Sequence, residues 1–247
     1  MDWTKAMLAF ALLPVTALGC GGCSSPEPEP PADAGTQPEP EPEPELIPAR
    51  CAIGGEMPKD AAELLTRIDT LGRPLDLPCL IASLPRPLSL VATDSIFSVQ
   101  PAVGRESPRV FVLGEDMVLS IALAGEGREL LEFGEWHSST QTLKGELAFP
   151  VEGELSLAQA YVGTDKISTR CATCHRNEEP SQTIEGAYFS DAIRPKPNSI
   201  VSLEQLEAEH QKCDPEQDRA RCEMLSALFD FGVVEQGAFD EQIPVFF

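Results

Sequence analysis

Two cysteines and a histidine stand close together in the second half of the chain. Cys171, Cys174 and His175 form the pattern Cys-x-x-Cys-His, which occurs once in the 247 residues. Two thiols at this spacing can each add to one vinyl group of the same porphyrin, and the histidine that follows them can ligate the iron. The pattern therefore predicts one covalently attached haem c, with His175 as the proximal iron ligand.

The same residues have two other chemical uses. The thiols of Cys171 and Cys174 can close a short redox disulfide, or they can supply half of a zinc site. In bacteria haem c is attached outside the cytoplasm, where a chain has little access to labile zinc. Whether the protein is exported therefore helps to decide between these uses, and the N-terminal residues indicate whether it is.

The first twenty residues have the pattern of a secretory signal. Lys5 lies in a short charged start, and an apolar run follows from residue 6 to about residue 18. This run is shorter than the roughly 20 apolar residues that a transmembrane helix needs. We therefore interpret residues 1–19 as a signal peptide that is removed from the mature protein.

The end of this signal, Ala-Leu-Gly-Cys at Cys20, resembles the lipobox of bacterial lipoproteins. The resemblance implies that Cys20 is lipid-modified and anchors the protein in the cell envelope, on the periplasmic side or at the surface of the outer membrane. The lipobox family has Leu three places before the cysteine, whereas this chain has Ala17 there, and Cys23 is a second candidate. A secreted form is the alternative, and export in either form favours haem over zinc at 171–175.

Composition divides the rest of the chain. Residues 20–50 are predicted to be the lipidated N-terminus and a disordered tether, because alternating Pro and Glu from residue 38 to 45 cannot form a core. Proline fixes φ and removes amide donors, while the repeated carboxylates repel one another. Residues 51–247 are long enough for a single domain, which carries the motif at 171–175 and a helical part at 200–232.

Charge restricts the partners of the protein. The formal net charge of the chain is −22 at pH 7, and acidic residues are in excess in the domain as well as in the tether. Nucleic acid and anionic lipid headgroups carry the same sign of charge and are excluded as partners. The composition predicts a basic redox protein as the partner and contact with the membrane through the N-terminal lipid alone.

Further cysteines indicate disulfides. Cys51, Cys79, Cys213 and Cys222 lie in the predicted domain, whereas Cys23 is left over in the tether. In an oxidising compartment the most economical pairing joins Cys51 to Cys79 and Cys213 to Cys222.

The middle of the domain has the pattern of an antiparallel sheet. Short runs rich in Val, Ile, Leu and Phe alternate with turn residues at intervals of about 8–12 residues. The predicted strands are 96–99, 109–113, 117–123, 130–136, 142–149 and 158–162. We predict an α+β fold with a β-rich sandwich or barrel-like core.

Helices are predicted on both sides of the strands. A short N-terminal helix from residue 60 to about residue 69 ends near Gly72. After the motif, Ser202 begins a helix as a capping box, and a second helix begins with Asp214 as N-cap and ends at Gly232. We expect the second disulfide to clamp these two helices into a hairpin beside the haem motif.

Residues 171–175 resemble the attachment site of c-type cytochromes, and the resemblance covers those five residues. The chain departs from class I cytochromes around the site, because a predicted strand precedes the motif and no Met-Pro pair follows it. The sixth iron ligand is therefore open. His210 and Met224, each on a predicted helix, are candidate distal ligands, His137 is a third, and a vacant or water-filled position is the alternative.

The ligand set separates the functional hypotheses. Six-coordinate iron blocks ligand exchange, so the protein would be an electron carrier in the cell envelope and not an enzyme. Five-coordinate iron would make it a gas sensor or a weak peroxidase. In the third hypothesis the protein binds no haem, and Cys171 and Cys174 form a disulfide in a structural or binding lipoprotein. The chain has no Gly-x-Ser-x-Gly or His-Glu-x-x-His pattern of a hydrolase.

Overall fold

The computed structural model describes residues 45–161 and 170–245. The predicted signal peptide, the lipid site at Cys20, the odd Cys23 and most of the tether lie outside the described residues. The described chain has the predicted α+β fold, with five α-helices and one nine-stranded, mostly antiparallel sheet. The sheet is open rather than closed into a barrel.

Most of the sheet is a meander in which consecutive strands pair. The strands are β1 (Leu88–Thr93), β2 (Arg109–Leu113), β3 (Met117–Ala122), β4 (Leu130–Trp136), β5 (Gln141–Ala148), β6 (Glu179–Pro180), β7 (Tyr188–Asp191), β8 (Ile200–Val201) and β9 (Val234–Gln236). Their order across the sheet is β6-β7-β5-β4-β3-β2-β1-β8, and β9 pairs in parallel with β1. Strands from the C-terminal part therefore pair with both edge strands of the meander, β7 with β5 and β8 and β9 with β1.

Four of the six predicted strands are confirmed. The bounds of β2 and β4 are as predicted, that of β3 differs by one residue at its C-terminal end, and those of β5 differ by one residue at both ends. The prediction at 96–99 was wrong, because this apolar run lies in a loop with Ile96 and Phe97 both 64% exposed. The prediction at 158–162 was also wrong. Ser156 and Gln159 form a capping box there, which starts the short helix α3 (Leu157–Ala160).

The helices begin and end at capping residues. They are α1 (Ala61–Leu71), α2 (Leu77–Ala82), α3, α4 (Leu203–Gln211) and α5 (Arg219–Phe229). The side chain of Asp60 accepts a hydrogen bond from the backbone N–H of Glu63, and α1 ends at Gly72, whose φ of 79° suits glycine. These ends confirm the predicted N-terminal helix.

The C-terminal helices are confirmed with one correction. The capping box at Ser202 starts α4 as predicted. The start of α5 was predicted at Asp214, but its N-cap is Asp218, whose side chain accepts from the backbone N–H of Arg221 at 3.2 Å. Asp214 instead accepts from the backbone N–H of Glu216 in the preceding turn. Both aspartates carry a capping signal, and the second one starts the helix.

The two faces of the sheet differ in chemistry. One face, which we call the helix face, joins helices α1, α2, α4 and α5 in one apolar core. Its side chains include Val110, Leu119, Ile121, Leu131, Leu143 and Leu147. The opposite side, which we call the polar face, carries Arg109, Phe111, Ser120, Glu132, Thr142, Lys144 and Glu146. The register places Phe111 opposite Ser120, Ser120 opposite Glu132, and Glu132 opposite Glu146.

Both predicted disulfide pairings are present in the structure. Cys51 is bonded to Cys79 and Cys213 to Cys222, with Cα–Cα distances of 5.1 and 5.5 Å. The second disulfide links the turn after α4 to α5. The hairpin of α4 and α5 contributes Leu206 and Leu225 to the core on the helix face.

Candidate functional site

A tight turn presents the Cys-x-x-Cys-His motif. The chain forms a 3₁₀ turn over Arg170–Thr173, and the backbone N–H groups of Cys174 and His175 both donate to the carbonyl of Cys171, at 3.0 and 2.8 Å. The bond from residue 175 to residue 171 has the spacing of one α-helical turn, which brings the two side chains to the same side of the chain. Cys171 and His175 accordingly line the same cavities.

The imidazole of His175 is held in one orientation. Its Nδ1 lies 2.7 Å from the carbonyl oxygen of Asp191, in β7. Because a carbonyl oxygen only accepts, Nδ1 carries the proton and donates it, and Nε2 is left with its lone pair. Burial first, and then the positive charge of Lys144, lower the pKa of His175 to about 3. The imidazole is therefore neutral at physiological pH, and its Nε2 can donate an electron pair to a metal.

A groove lies between the motif and the polar face of the sheet. Its larger part encloses about 800 Å³ with its open mouth included. A second part, toward Trp136 and Phe239, encloses about 550 Å³. Both parts are lined by Arg109, Phe111, Glu132, Cys171, His175 and Ile193. The motif and the polar face therefore line one continuous groove.

Arg109 is the best-connected charged group of the groove. It forms an ion pair with Glu132 and donates to the hydroxyl oxygens of Ser98 and Ser120. Its guanidinium also lies over the ring of Phe111, at 4.7 Å from the centroid. Burial lowers the pKa of Arg109, and the negative charge of Glu132 opposes that effect. Arg109 therefore acts as a fixed, compensated cation in the groove.

Lys144 is the second cation of the groove and is compensated less well. Its Nζ donates to the hydroxyl oxygen of Thr142 on the same strand. Burial lowers the pKa of Lys144 to about 8, and negative charge at Cys171 opposes the shift. The side chain therefore remains a cation at pH 7 and lies near the first motif cysteine.

The motif residues fit a covalently bound haem. Cys171 and Cys174 are not joined in a disulfide, both are partly buried, and both line the larger part of the groove. Two thiols and an imidazole with its Nε2 lone pair are the donor set that haem c requires. The groove adds apolar side chains for a porphyrin, among them Phe97, Val99 and Phe111, and cations for its carboxylates.

The structure does not bring the candidate distal ligands to this groove. Met224 is 3% exposed in the core of the helix face and lines a different cavity. Nε2 of His210 lies 2.7 Å from an oxygen of Asp230, and its ring stacks on Phe229. The ring of His137 packs on Phe189 with centroids 4.1 Å apart. None of the three is among the residues that line the two parts of the groove.

The residues of the polar face were not predicted to be part of the site. Arg109, Glu132 and Lys144 lie in segments that were predicted to be strands, and alternation along those strands would have put them on the side opposite the core. The missing information was the position of the motif over that side. Only the long-range pairing of β5 with β7 and the bond from His175 to Asp191 supply it.

No family model matches this chain, and neither a curated protein nor a solved structure matches it. Within residues 45–161 and 170–245, no group of three or more His, Cys, Asp and Glu side chains is placed to hold a metal ion. None of the helices in that part of the chain has the length and apolarity to cross a membrane.

Proposed function

We propose that this protein carries one haem c, bound through thioether bonds to Cys171 and Cys174, with Nε2 of His175 as the proximal iron ligand. One observation carries the proposal. All three residues line one groove, and the bond from Nδ1 to the Asp191 carbonyl directs the lone pair of the imidazole to Nε2. If the five-residue motif had arisen by chance, there would be no reason for its three side chains to line the same groove.

The chain's residues have distinct tasks toward the haem. The bound haem supplies an iron that changes its oxidation state by one electron. The thiols hold the porphyrin, and the Asp191 carbonyl fixes the tautomer and plane of His175. Phe111 and Ile193 line both parts of the groove and exclude water from it. Lys144 places positive charge in the groove, which would favour the reduced state of the iron.

We propose electron transfer in the cell envelope as the role of the protein, with Cys20 as its lipid anchor and a basic redox protein as its partner. Ala172 and Thr173, between the two thiols, are exposed, so the attached edge of a haem would lie near the protein surface. The net charge of −22 supports a basic partner, because opposite charge steers association at low salt.

Binding of a small ligand at a five-coordinate iron is the second candidate function. One observation favours it. The chain has three histidines and five methionines, and among the described residues only His175 of these lines the groove. A second imidazole or a thioether is therefore not in position to close the sixth site. Haem with an exchangeable sixth position binds gases or peroxide.

Covalent attachment is tested by expressing the protein with haem-maturation machinery and staining a denaturing gel for haem. We expect a stained band from the natural chain and complete loss of it in Cys171→Ala/Cys174→Ala. The control is Cys213→Ala/Cys222→Ala, which removes the same number of sulfur atoms away from the groove and should keep the stain. An unstained natural chain, or stain that survives the motif double variant, contradicts the proposal.

The two roles are separated by the spectrum of the reduced, haem-loaded protein with and without carbon monoxide. A low-spin spectrum that carbon monoxide leaves unchanged supports the electron carrier. A high-spin spectrum that carbon monoxide shifts at stoichiometric concentration supports the ligand-binding protein and rejects a six-coordinate carrier. In the first case, His210→Ala and Met224→Ala should leave the spectrum unchanged, since neither side chain lies at the groove.

A further inference from the structure

Lys144 is a cation of the groove that forms no ion pair with a carboxylate of residues 45–161 or 170–245. Its side chain lies on the polar face of β5 and lines the part of the groove that also contains Cys171 and His175. Its hydrogen-bond partner is the hydroxyl of Thr142, and no described carboxylate forms an ion pair with it. Lys144 is partly buried, and an ammonium group that loses part of its water shell costs stability unless an anion compensates it. Among the described residues, the chain therefore holds a cation here without supplying its counter-charge.

The groups around Lys144 do not remove this cost. Glu132, Asp191 and Cys171 favour its charged form and Arg109 opposes it, but the effect of burial is larger than all of them. Glu132, the carboxylate on the same face, is committed to the ion pair with Arg109. A second carboxylate that lines the groove, Glu146, belongs to its other part, which Lys144 does not line. The described carboxylates therefore leave Lys144 available to an anionic ligand in the groove.

We propose that Lys144 forms an ion pair with a propionate carboxylate of the bound haem. This inference rests on the proposed function and names a residue that orients the cofactor within the site. A haem carries two carboxylates on an otherwise apolar ring, which matches an apolar groove with a cation that lacks a partner. Arg109 is a weaker candidate because it already donates to Glu132, Ser98 and Ser120. In this arrangement Lys144 would compensate one of the two negative charges that the porphyrin brings into the groove.

The test compares Lys144→Met and Lys144→Arg with the natural full-length chain, each with haem and each expressed without haem maturation. Without haem, Lys144→Met should raise the folding equilibrium constant, since it removes the uncompensated charge. With haem, the same substitution should lower that constant by about tenfold to a hundredfold, the range for a hydrogen bond between charged groups. Lys144→Arg should keep the value of the loaded natural chain. Lys59→Met, at an exposed lysine, should change neither form.

A spectroscopic measurement makes the test specific for the propionate. The propionate bending band in the resonance Raman spectrum should shift in Lys144→Met and should return in Lys144→Arg. An unshifted band together with equal stability changes in the loaded and unloaded forms overturns the ion pair, although the haem itself still stains. Loss of haem staining from the natural chain is a separate result that overturns the proposed function instead.

One further arm tests the other source of an anion. Inorganic phosphate is added to the unloaded natural chain and to unloaded Lys144→Met. We expect phosphate to leave the stability of both chains equal to that in chloride at the same ionic strength. Phosphate stabilisation of the natural chain alone would show that Lys144 serves a free anion and would overturn the propionate pairing.

Discussion

The helix face and the polar face are built from neighbouring residues of the same strands, yet they differ in how their charges are treated. On the helix face, Leu119, Ile121 and Leu131 are completely buried in one continuous apolar core. On the polar face, Ser120 and Glu132, which are the direct sequence neighbours of those residues, line a groove. The helix face buries apolar side chains, whereas the polar face partly buries charged side chains.

This difference separates stability from function. Burial of apolar area stabilises the fold, by about 25 cal/mol for each Å². A partly buried cation such as Lys144 costs stability unless a ligand compensates it, so its presence in the groove points to binding. The helix face is therefore expected to determine whether the chain folds, and the polar face what the folded chain holds.

The largest effect should come from the core of the helix face. We expect Leu119→Ala to lower the free energy of unfolding by about 2–5 kcal/mol, because it leaves a cavity in a fully buried position. The matched control is Val118→Ala, at the next residue, which lines the groove on the polar face. Chemical denaturation followed by circular dichroism measures both. A cost for Val118→Ala as large as that for Leu119→Ala would contradict the division between the faces.

A smaller effect should come from a glycine that makes room on the helix face. A Cβ at Gly145 would meet the ring of Phe133 and would lie 2.6 Å from the carbonyl oxygen of Ala160. We expect Gly145→Ala to cost about 1–3 kcal/mol, the usual range for overpacking a core.

The control for this substitution is Gly134→Ala on the polar face. There a new Cβ comes no closer than 3.0 Å to any neighbouring atom, and the three nearest atoms all belong to the side chain of Thr142, which lines the groove. We expect it to cost less than Gly145→Ala, measured as the shift of Tm in the same buffer. The reverse order would mean that the polar face is the more tightly packed side.

The sequence predicted the central strands of this sheet better than the segments before and after them. Short runs rich in Val, Ile, Leu and Phe between turn residues identified β2 to β5. The predicted strands did not include β1, which is buried at Leu90, Val91 and Ala92 in succession. The prediction was also wrong at 158–162, where the local capping box at Ser156 determines a helix instead.

The candidate site was predictable in part for a related reason. Cys171, Cys174 and His175 are close in sequence, so their spacing alone indicated their chemistry. The groove residues Arg109 and Lys144 come from strands that are far away in sequence. Contacts of that kind depend on sheet order, which no local pattern contains. His210 and Met224 were candidates by their helical position alone, and the fold directs both helices to the core on the helix face.

The smallest expected effect tests the one carboxylate that faces the helices. Glu135, in β4, accepts hydrogen bonds from the backbone N–H of Ala61 at 2.8 Å, at the start of α1, and from the hydroxyl of Tyr161. Burial raises the pKa of Glu135, and these two bonds oppose the shift only in part. The folded state therefore binds a proton more tightly than the unfolded state does. The stability that this protonation contributes is complete below the ordinary carboxyl pKa of about 4.5 and is lost as pH rises through the folded value.

We expect the unfolding free energy of the natural chain, relative to Glu135→Gln, to fall as pH is raised from 4 toward 7. The effect should be small because part of the carboxyl reaches solvent. Glu126→Gln, at an exposed glutamate, is the matched control. Lys144 on the polar face should respond in the opposite direction and at alkaline pH, because its pKa is lowered to about 8 and its cost is relieved as pH rises from there. Equal slopes for Glu135 and Glu126 would mean that the helix face does not constrain its carboxylate, and the contrast between the two faces would then rest on Lys144 alone.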